Sequence, residues 1–301
     1  MAVSATNSPP RRTMEELMAD VDRQGRVVMS RNLLFAAILL AIVWYSAGQT
    51  EFHPDLLITK AHNMERLLVG FFHPNLAIVL PKFISGSSEI ANGKYGYSEG
   101  LLEHFAFQTL TIAIFGTFLG TVVAIPTSFL AARNLTRRGV VGTAVYFAVR
   151  TVMSVVRSIP TLFWGLLFVT AISTGPFAGV MAISLFSFGL MSKLFSEAIE
   201  AIDWGQVEAL TATGANPVQV VTHGVVPQVM PYLVAHLLYT FEVNVHSATI
   251  LGVIGAGGLG FLFQQYAETF DYESQAMLLY VTIVMTALID NSSAAIRRRI
   301  I

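Results

Sequence analysis

Six long apolar blocks constrain the fold of this chain more than any other feature of its sequence. They occupy approximately residues 32–48, 105–131, 142–174, 176–196, 229–254 and 274–295. A helix needs roughly 20 mostly apolar residues to cross the hydrocarbon core of a bilayer. Charged residues make up only 12% of the chain, whereas about 25% is typical of soluble domains. The sequence therefore predicts an all-α polytopic membrane protein with about six transmembrane helices.

The first block, 32–48, follows a polar tail formed by residues 1–31. Met14, Leu17 and Met18 recur in this tail at helical spacing, which predicts a short amphipathic helix. A cleaved signal peptide is the alternative interpretation of the first block. The length of the tail before it favours an uncleaved first transmembrane helix.

Arginine residues cluster beside three of the blocks, and short loops rich in arginine are typical of the cytoplasmic side of a membrane. The clusters are Arg11, Arg12, Arg23, Arg26 and Arg31, then Arg133, Arg137 and Arg138, and finally Arg297, Arg298 and Arg299. Six spans place all three clusters on one side. Both termini, including the tail 297–301, are therefore predicted to be cytoplasmic, and residues 49–104 form an external segment.

Several kinds of chemistry have no support in the sequence. The chain has no cysteine, and its histidines lack metal-ligand spacing, so no metal site is expected. Its one Gly-Lys pair, Gly93–Lys94, lacks the upstream glycine of an ATP-binding phosphate loop. A formal net charge of −1 does not indicate a nucleic-acid partner. Neither an H-E-x-x-H motif nor a nucleophile–base constellation supports an intramembrane enzyme.

A polar loop, residues 205–228, separates the fourth and fifth blocks, and we call it the knuckle. Residues 206–213 are predicted to be helical, and Gly214 suits the left-handed conformation that ends a helix. Asn216 and Pro217 then suit the cap and the first position of a second helix. Gly224 is expected to end that helix, and Pro227 to prevent its continuation into the fifth span. These signals predict a helix–turn–helix that stands outside the membrane.

The knuckle resembles the EAA loop of permease subunits of bacterial ABC importers, the binding-protein-dependent transport systems. Four residues keep the spacing of that loop: Glu208, Ala209, Gly214 and Pro227. Leu210, Gly224 and Val226 depart from the usual residues without changing the spacing. The resemblance implies a type I ABC importer permease fold, with residues 105–296 as its core domain. It also implies that the knuckle inserts into a groove of the ATPase subunit.

The stretch YTFEVNVHSATILGVIGAGGLGF, Tyr239 to Phe261, is similar to the fifth-span signature of phosphonate permeases. The segments AARNL and RSIPTL also fit, and the resemblance extends from Leu101 to the C-terminus. It implies a subunit that translocates phosphonate or a related oxyanion, such as phosphate or phosphite, into the cytoplasm. Thr240 and His246 stand where the family often has arginine, so the identity of the oxyanion stays open.

The same resemblance implies the partners of the chain. It implies a dimer of ATPase subunits, which would carry ATP and Mg²⁺, and an extracytoplasmic substrate-binding protein. The second permease is either another copy of this chain or a paralogue. No cofactor and no enzymatic activity are expected on the chain itself, which would lie in the bacterial inner membrane as a multi-pass protein.

A glycine-rich segment begins at Gly255 and has the spacing G-x-G-x-x-G of a dinucleotide-binding loop. Such a loop needs a soluble helix after it and an acidic residue about 20 positions on. Tyr280 and apolar neighbours stand there instead, and another apolar block follows. The segment is therefore predicted to break a helix, or to allow close packing, near the outer end of the fifth span. Its glycines are Gly255, Gly257, Gly258 and Gly260.

Ionisable residues inside the blocks mark a second candidate site. Arg150 and Arg157 are seven positions apart on one helical face, and Glu242 precedes His246 by one turn at a predicted mid-membrane position. Three interpretations stay open. Glu242 forms an ion pair with one of the arginines, the arginines and His246 line a translocation path for an anion, or one arginine extends to the membrane surface.

Two further expectations concern charged residues near these positions. A proton-coupled secondary transporter that uses Glu242 and His246 as its relay is the alternative to an ATP-driven importer. Lys193 and Glu197 are four positions apart at the end of the fourth block. Their spacing predicts an ordinary surface ion pair.

Overall fold

A computed structural model of the chain describes residues 14–50, 55–76, 101–137 and 139–300. Within these ranges every regular element is helical, which confirms the all-α prediction. Residues 1–13 of the tail and residues 77–100 of the external segment lie outside the described residues. The chain divides into two compact units, residues 1–65 and 66–301.

The first unit contains α1 (Met14–Gln49), α2 (Asp55–Thr59) and the beginning of α3 (Ala61–Phe72). The sequence predicted a short helix in the tail and a separate first span. Instead, α1 is one helix of 36 residues. No proline interrupts this stretch, so nothing in the sequence forces the helix to end between its polar and apolar parts.

The second unit contains the remaining helices. They are α4 (Leu101–Ala131), α5 (Arg133–Thr136), α6 (Gly139–Ser158), α7 (Thr161–Ile172), α8 (Pro176–Glu200), α9 (Trp204–Ala212), α10 (Pro217–Gln219), α11 (Val226–Leu251), α12 (Leu259–Glu268) and α13 (Tyr272–Ile300). Two π-helical turns, Val220–Val225 and Gly252–Ala256, flank α11.

The described residues include six helical segments that are long and apolar enough to cross a membrane. They are Val28–Gln49, His104–Ala131, Gly139–Ser158, Pro176–Glu200, Pro217–Ala256 and Tyr272–Ile300. This number agrees with the six apolar blocks of the sequence. The expected architecture of six spans is therefore confirmed.

The third apolar block, 142–174, is not one continuous helix. It contains α6, which starts earlier at Gly139, and the 12-residue α7, which starts at Thr161. Pro160 separates them because proline lacks a backbone N–H and disfavours helical geometry in the preceding residue. The block therefore contains two helices, although its hydropathy alone suggested one long span.

The most extensive helix contact in the second unit joins α4 and α8. Gly120 permits this close approach, since a Cβ there would lie 2.5 Å from the Cβ of Ser187. Small residues allow membrane helices to pack backbone against backbone. Buried side chains of α4, α8, α11 and the π-helical turn after α11 form the main core around this contact: Ile112, Ala113, Val180, Ala182, Ile183, Val245, Ala248, Leu251 and Ala256.

Candidate functional site

The knuckle is an ordered helical segment whose local structure follows from its sequence. Asp203 caps α9, and its Oδ1 accepts a hydrogen bond of 2.9 Å from the amide of Gly205. Gly214 follows α9 with a φ of 83°, the left-handed conformation that the sequence predicted. A Cβ at Gly214 would have no atom within 4 Å. Glycine is therefore favoured there by backbone conformation and not by lack of space.

Asn216 begins the second arm of the knuckle as a helix cap, as predicted. Its Oδ1 accepts from the amide of Gln219 at 2.9 Å, and the Gln219 Oε1 accepts from the amide of Asn216 at 3.0 Å. Two amides at the helix start are thus satisfied reciprocally. Pro217 occupies the first helical turn, where its missing N–H leaves no helical hydrogen bond unmade.

The expected end of this second arm at Gly224 is wrong. A π-helical turn, Val220–Val225, continues directly into α11. Pro227 lies in the first turn of α11, and the widened π turn lets the chain pass through this position without a straight α-helical ladder. The second arm of the knuckle and the fifth span therefore form one continuous helical element.

An apolar cluster, which we call the knuckle cluster, packs the knuckle against the ends of three membrane helices. Val207 of α9 is 5% exposed and packs with residues from the ends of α4 and α8 and the start of α11. The buried members are Ala132, Ile199, Val207, Val225 and Val229. Gln228 adds polar contacts, accepting from the amide of Asp203 at 3.0 Å and donating to the carbonyl of Gly224 at 2.6 Å. In contrast, Glu208 and Ala209 are exposed, so the opposite face of α9 is open to a partner.

The glycine segment lies at the other end of α11 and breaks the helix, as the sequence predicted. Gly255, Gly257 and Gly258 have φ values of 94°, 82° and 73°. A Cβ at Gly260 would overlap the carbonyl oxygen of Thr249, so the two backbones approach too closely for a side chain. The segment thus reverses the chain between α11 and α12.

Side chains of α4 hold this reversed segment in place. Gln108 accepts a hydrogen bond of 2.7 Å from the amide of Gly258, and Thr109 accepts one of 2.9 Å from the amide of Leu259. The amide of Gly175 donates to the carbonyl of Gly255 at 2.8 Å. Backbone groups freed by the helix break therefore have partners, as an apolar environment requires.

Glu242 forms its ion pair with Arg297, where Nη2 and Oε1 are 2.6 Å apart. The expectation that Arg150 or Arg157 neutralises Glu242 is therefore wrong. Arg297 belongs to the last turn of α13, so the pair joins the fifth span to the sixth. The mid-membrane position of Glu242 stays a prediction.

Arg150 connects α6 to the ends of α4 and α8 that lie beside the knuckle. Its Nη2 lies 2.8 Å from Glu200 Oε1, and its Nε donates to the carbonyl of Ala131 at 3.2 Å. Its guanidinium also lies 4.9 Å from the centre of the Tyr146 ring, within the range of a cation–π contact. Glu200 is therefore the counterion of Arg150, and the three contacts together fix the orientation of the Arg150 side chain.

Arg157 and Lys193 face a shared cavity between α6 and α8, which sequence spacing did not indicate. The cavity has a volume of about 120 Å³. Lys193 forms the expected pair with Glu197, at 3.4 Å, and both side chains are about half exposed. His246 is exposed on α11 and is not part of the cavity lining. Of the four predicted path residues, Arg150 and Arg157 line this cavity, Glu242 pairs with Arg297, and His246 belongs to neither group.

Asn244 connects three membrane helices and was missed by the sequence reasoning. Its Nδ2 donates to Thr117 Oγ1 and to Ser187 Oγ, at 2.7 Å in each case. The residue is fully buried. The sequence did contain a signal for this contact, namely a polar side chain within an apolar span, because such side chains usually face other membrane helices.

Comparison with known proteins identifies the family of this chain. The family model described as "Binding-protein-dependent transport system inner membrane component" matches residues 124–301. This match covers more than half of the chain, and the chain belongs to that family. Membership favours the importer over the proton-coupled alternative, as does the ion pair that holds the proposed relay residue Glu242.

Two relatives and one solved structure illustrate the similarity. The "Putative phosphite transport system permease protein HtxC" of Stutzerimonas stutzeri is 32% identical over 291 residues, covering 95% of this chain and 93% of the relative. The "Phosphate-import permease protein PhnE" of Mycolicibacterium smegmatis is 37% identical over 196 residues, covering 65% and 36%. A structure of the MetNI methionine ABC transporter in an inward facing conformation has a TM-score of 0.60 at 24% identity, covering 67% of this chain and 96% of that one. The fold is that of a type I ABC importer permease.

Proposed function

We propose that this permease subunit carries phosphonate, or a related tetrahedral oxyanion such as phosphate or phosphite, into the cytoplasm. The similar proteins named for phosphite and phosphate transport support this substrate class. So does the stretch Tyr239 to Phe261, which is similar to the phosphonate permease signature. ATP and Mg²⁺ would be held by a separate ATPase dimer, and the oxyanion would be delivered by a binding protein outside.

The observation that carries the ATP-driven part of this proposal is the packing of the knuckle against the membrane helices. Val207 on the inner face of α9 is buried against the ends of α4 and α8, while Glu208 on the outer face is exposed. The π turn then runs into α11 without a break. A displacement of α9 by an ATPase subunit would therefore move three membrane helices together, as alternating access requires.

The proposed orientation follows from the positive-inside rule. Arg133 and Arg137 follow α4, and Arg297, Arg298 and Arg299 end α13 near the ion pair with Glu242. Arginine-rich segments of this kind favour the cytoplasmic side, so the knuckle end faces the cytoplasm and its ATPase partner. The second permease is another copy or a paralogue, and the complex lies in the bacterial inner membrane.

Replacing Gly214 with aspartate tests the coupling role. Gly214→Asp puts a charged side chain at a left-handed position beside the exposed face of α9, so we expect normal membrane insertion but loss of ATP-driven uptake. Gly139→Asp is the matched control, because Gly139 also has a positive φ of 71° and no neighbouring atom within 4 Å of a Cβ. Normal uptake by a well-inserted Gly214→Asp variant would contradict the coupling role.

Uptake of labelled phosphate tests the substrate class. Cells that lack other phosphate importers would carry this chain with its ATPase and binding protein, and unlabelled methylphosphonate would be the competitor. Phosphate uptake that resists the competitor identifies a phosphate importer, and competed uptake identifies a phosphonate importer. If neither labelled phosphate nor labelled methylphosphonate nor labelled phosphite enters the cells, the proposed substrate class is wrong.

A further inference from the structure

The cavity between α6 and α8 has an unbalanced set of charges. It is lined by Arg150, Met153, Ser154, Arg157, Lys193, Ser196 and Glu197. The charge of Arg150 is already matched by Glu200. One carboxylate, Glu197, then remains in the lining for the two cations Arg157 and Lys193. The cavity therefore carries a net positive charge.

Arg157 is the source of this imbalance. None of the described carboxylates forms an ion pair with it. Its position is nevertheless fixed by the backbone, because a Cβ at Gly189 would lie 3.1 Å from the Arg157 amide nitrogen. The close approach of α6 to α8 at Gly189 thus holds Arg157 beside the cavity. A charge without a counterion in a membrane protein usually faces a binding site or a water-filled path.

Lys193 is the second cation of the cavity, and its ion pair with Glu197 is weak. Its Nζ lies 3.4 Å from Glu197 Oε1, and the two side chains are 42% and 53% exposed. Exposed pairs of this kind contribute at most about 1 kcal/mol. Lys193 can therefore turn from Glu197 towards an anion without a large loss.

We propose that this cavity binds a phosphate-like tetrahedral oxyanion, with Arg157 and Lys193 as its ligands. The planar guanidinium donates two parallel hydrogen bonds to such an anion, and the ammonium acts as a mobile point charge. Glu197 competes with the anion for Lys193, which keeps binding weak enough for release. The same chemistry fits the transported anion, an identification that rests on the proposed function, and it fits the phosphate of an anionic lipid headgroup.

The absence of cysteine from the chain allows a direct test by thiol labelling. Ser154→Cys places a single thiol in the cavity lining, and the complex with its partners is reconstituted in nanodiscs. At each thiol, the labelling rate of a sulfonate-bearing methanethiosulfonate is divided by that of its trimethylammonium analogue. We expect this ratio to be about tenfold higher at Ser154→Cys than at a control thiol, because one net positive charge acts at short range in the cavity. Ser158→Cys, one turn further along α6 and outside the lining, is that control.

Two further changes should shift this preference in opposite directions. Arg157→Gln in the Ser154→Cys background should abolish the preference for the anionic reagent, and Glu197→Gln should increase it. Arg298→Gln removes an arginine that donates within its own helix, to Ala294, and should leave the preference unchanged. A merely structural role of the cluster would not produce this pattern.

Protection from labelling identifies the bound anion. In neutral phosphatidylcholine nanodiscs, slower labelling with inorganic phosphate or methylphosphonate supports a site for the free anion. Slower labelling only when phosphatidylglycerol is present supports a headgroup site. Equal reagent preferences at Ser154→Cys and Ser158→Cys, or no protection by any of these anions, would overturn the proposal. Labelling needs no transport, so a failure of oxyanion uptake would contradict the proposed function separately.

Discussion

The carboxylate of Glu242 and the guanidinium of Arg297 are 2.6 Å apart and join α11 to the last turn of α13. The Glu242 side chain is 14% exposed and that of Arg297 is 32% exposed. A charged group in this environment is costly unless it is paired. The pair therefore explains how a glutamate is accommodated within the fifth span, and it holds the last turn of α13 against α11.

Neutralising one member of this pair should destabilise the protein more than neutralising both. We expect Glu242→Gln and Arg297→Gln each to lower stability because each leaves its partner without a counterion. The double variant should recover part of the loss, with a coupling free energy of about 0.5–3 kcal/mol. Thermal unfolding of the purified protein in one detergent measures all three variants.

The neighbouring Arg298→Gln variant is the control for this cycle, since Arg298 donates to the carbonyl of Ala294 within its own helix. It should unfold at nearly the wild-type temperature. Losses of Glu242→Gln and Arg297→Gln that simply add in the double variant would contradict a direct interaction.

Removing the cap of the second knuckle arm should loosen the knuckle locally. Asn216→Ala deletes the acceptor of the Gln219 amide, and the loss of such a cap costs about 1 kcal/mol of helix stability. We expect faster amide hydrogen exchange around Gln219 and reduced uptake at unchanged membrane insertion. Thr213→Ala, which removes a hydroxyl that donates to the carbonyl of Leu210 in the first arm, is the control. Unchanged exchange in Asn216→Ala would show that the cap is dispensable.

A side chain at Gly260 should prevent correct packing of the glycine segment. Gly260→Ala would place a Cβ on the carbonyl oxygen of Thr249, and overlaps with backbone cannot be relieved by a side-chain rotation. We expect destabilisation of more than about 4 kcal/mol and aggregated material in size-exclusion chromatography of the solubilised protein. Gly48→Ala has no atom within 4 Å of the new Cβ and should elute as the wild type does. A monodisperse Gly260→Ala protein would contradict the close approach.

The buried amide of Asn244 should contribute to the packing of α4, α8 and α11. Asn244→Ala removes both hydrogen bonds to Thr117 and Ser187, and hydrogen bonds between membrane helices contribute about 0.6 kcal/mol each, up to about 1.7. Thermal unfolding of Asn244→Ala, Ser187→Ala and their combination measures the coupling. Additive losses would contradict a direct hydrogen bond between these side chains.

Local signals in the sequence predicted the parts of the site that depend on backbone conformation. Gly214, Asn216 and Pro217 adopt the predicted turn and cap because glycine, a capping side chain and proline each restrict φ or hydrogen bonding at their own position. The prediction failed at Gly224. The π turn that precedes Pro227 contains Val225, which is buried with Val229 in the knuckle cluster, and no local sequence pattern expresses this tertiary packing.

The sequence by itself determined the number of membrane helices, the two-armed form of the knuckle and the break at Gly255, because hydropathy and backbone restrictions act over a few residues. Only the tertiary structure decided the partners of the charged and polar side chains. Arg150 pairs with Glu200 across 50 positions, Glu242 with Arg297 across 55, and Asn244 with Thr117 across 127. Several carboxylates could balance the charge of each arginine equally well. The packing of α4, α6, α8, α11 and α13 selects one of them by bringing it within hydrogen-bond distance.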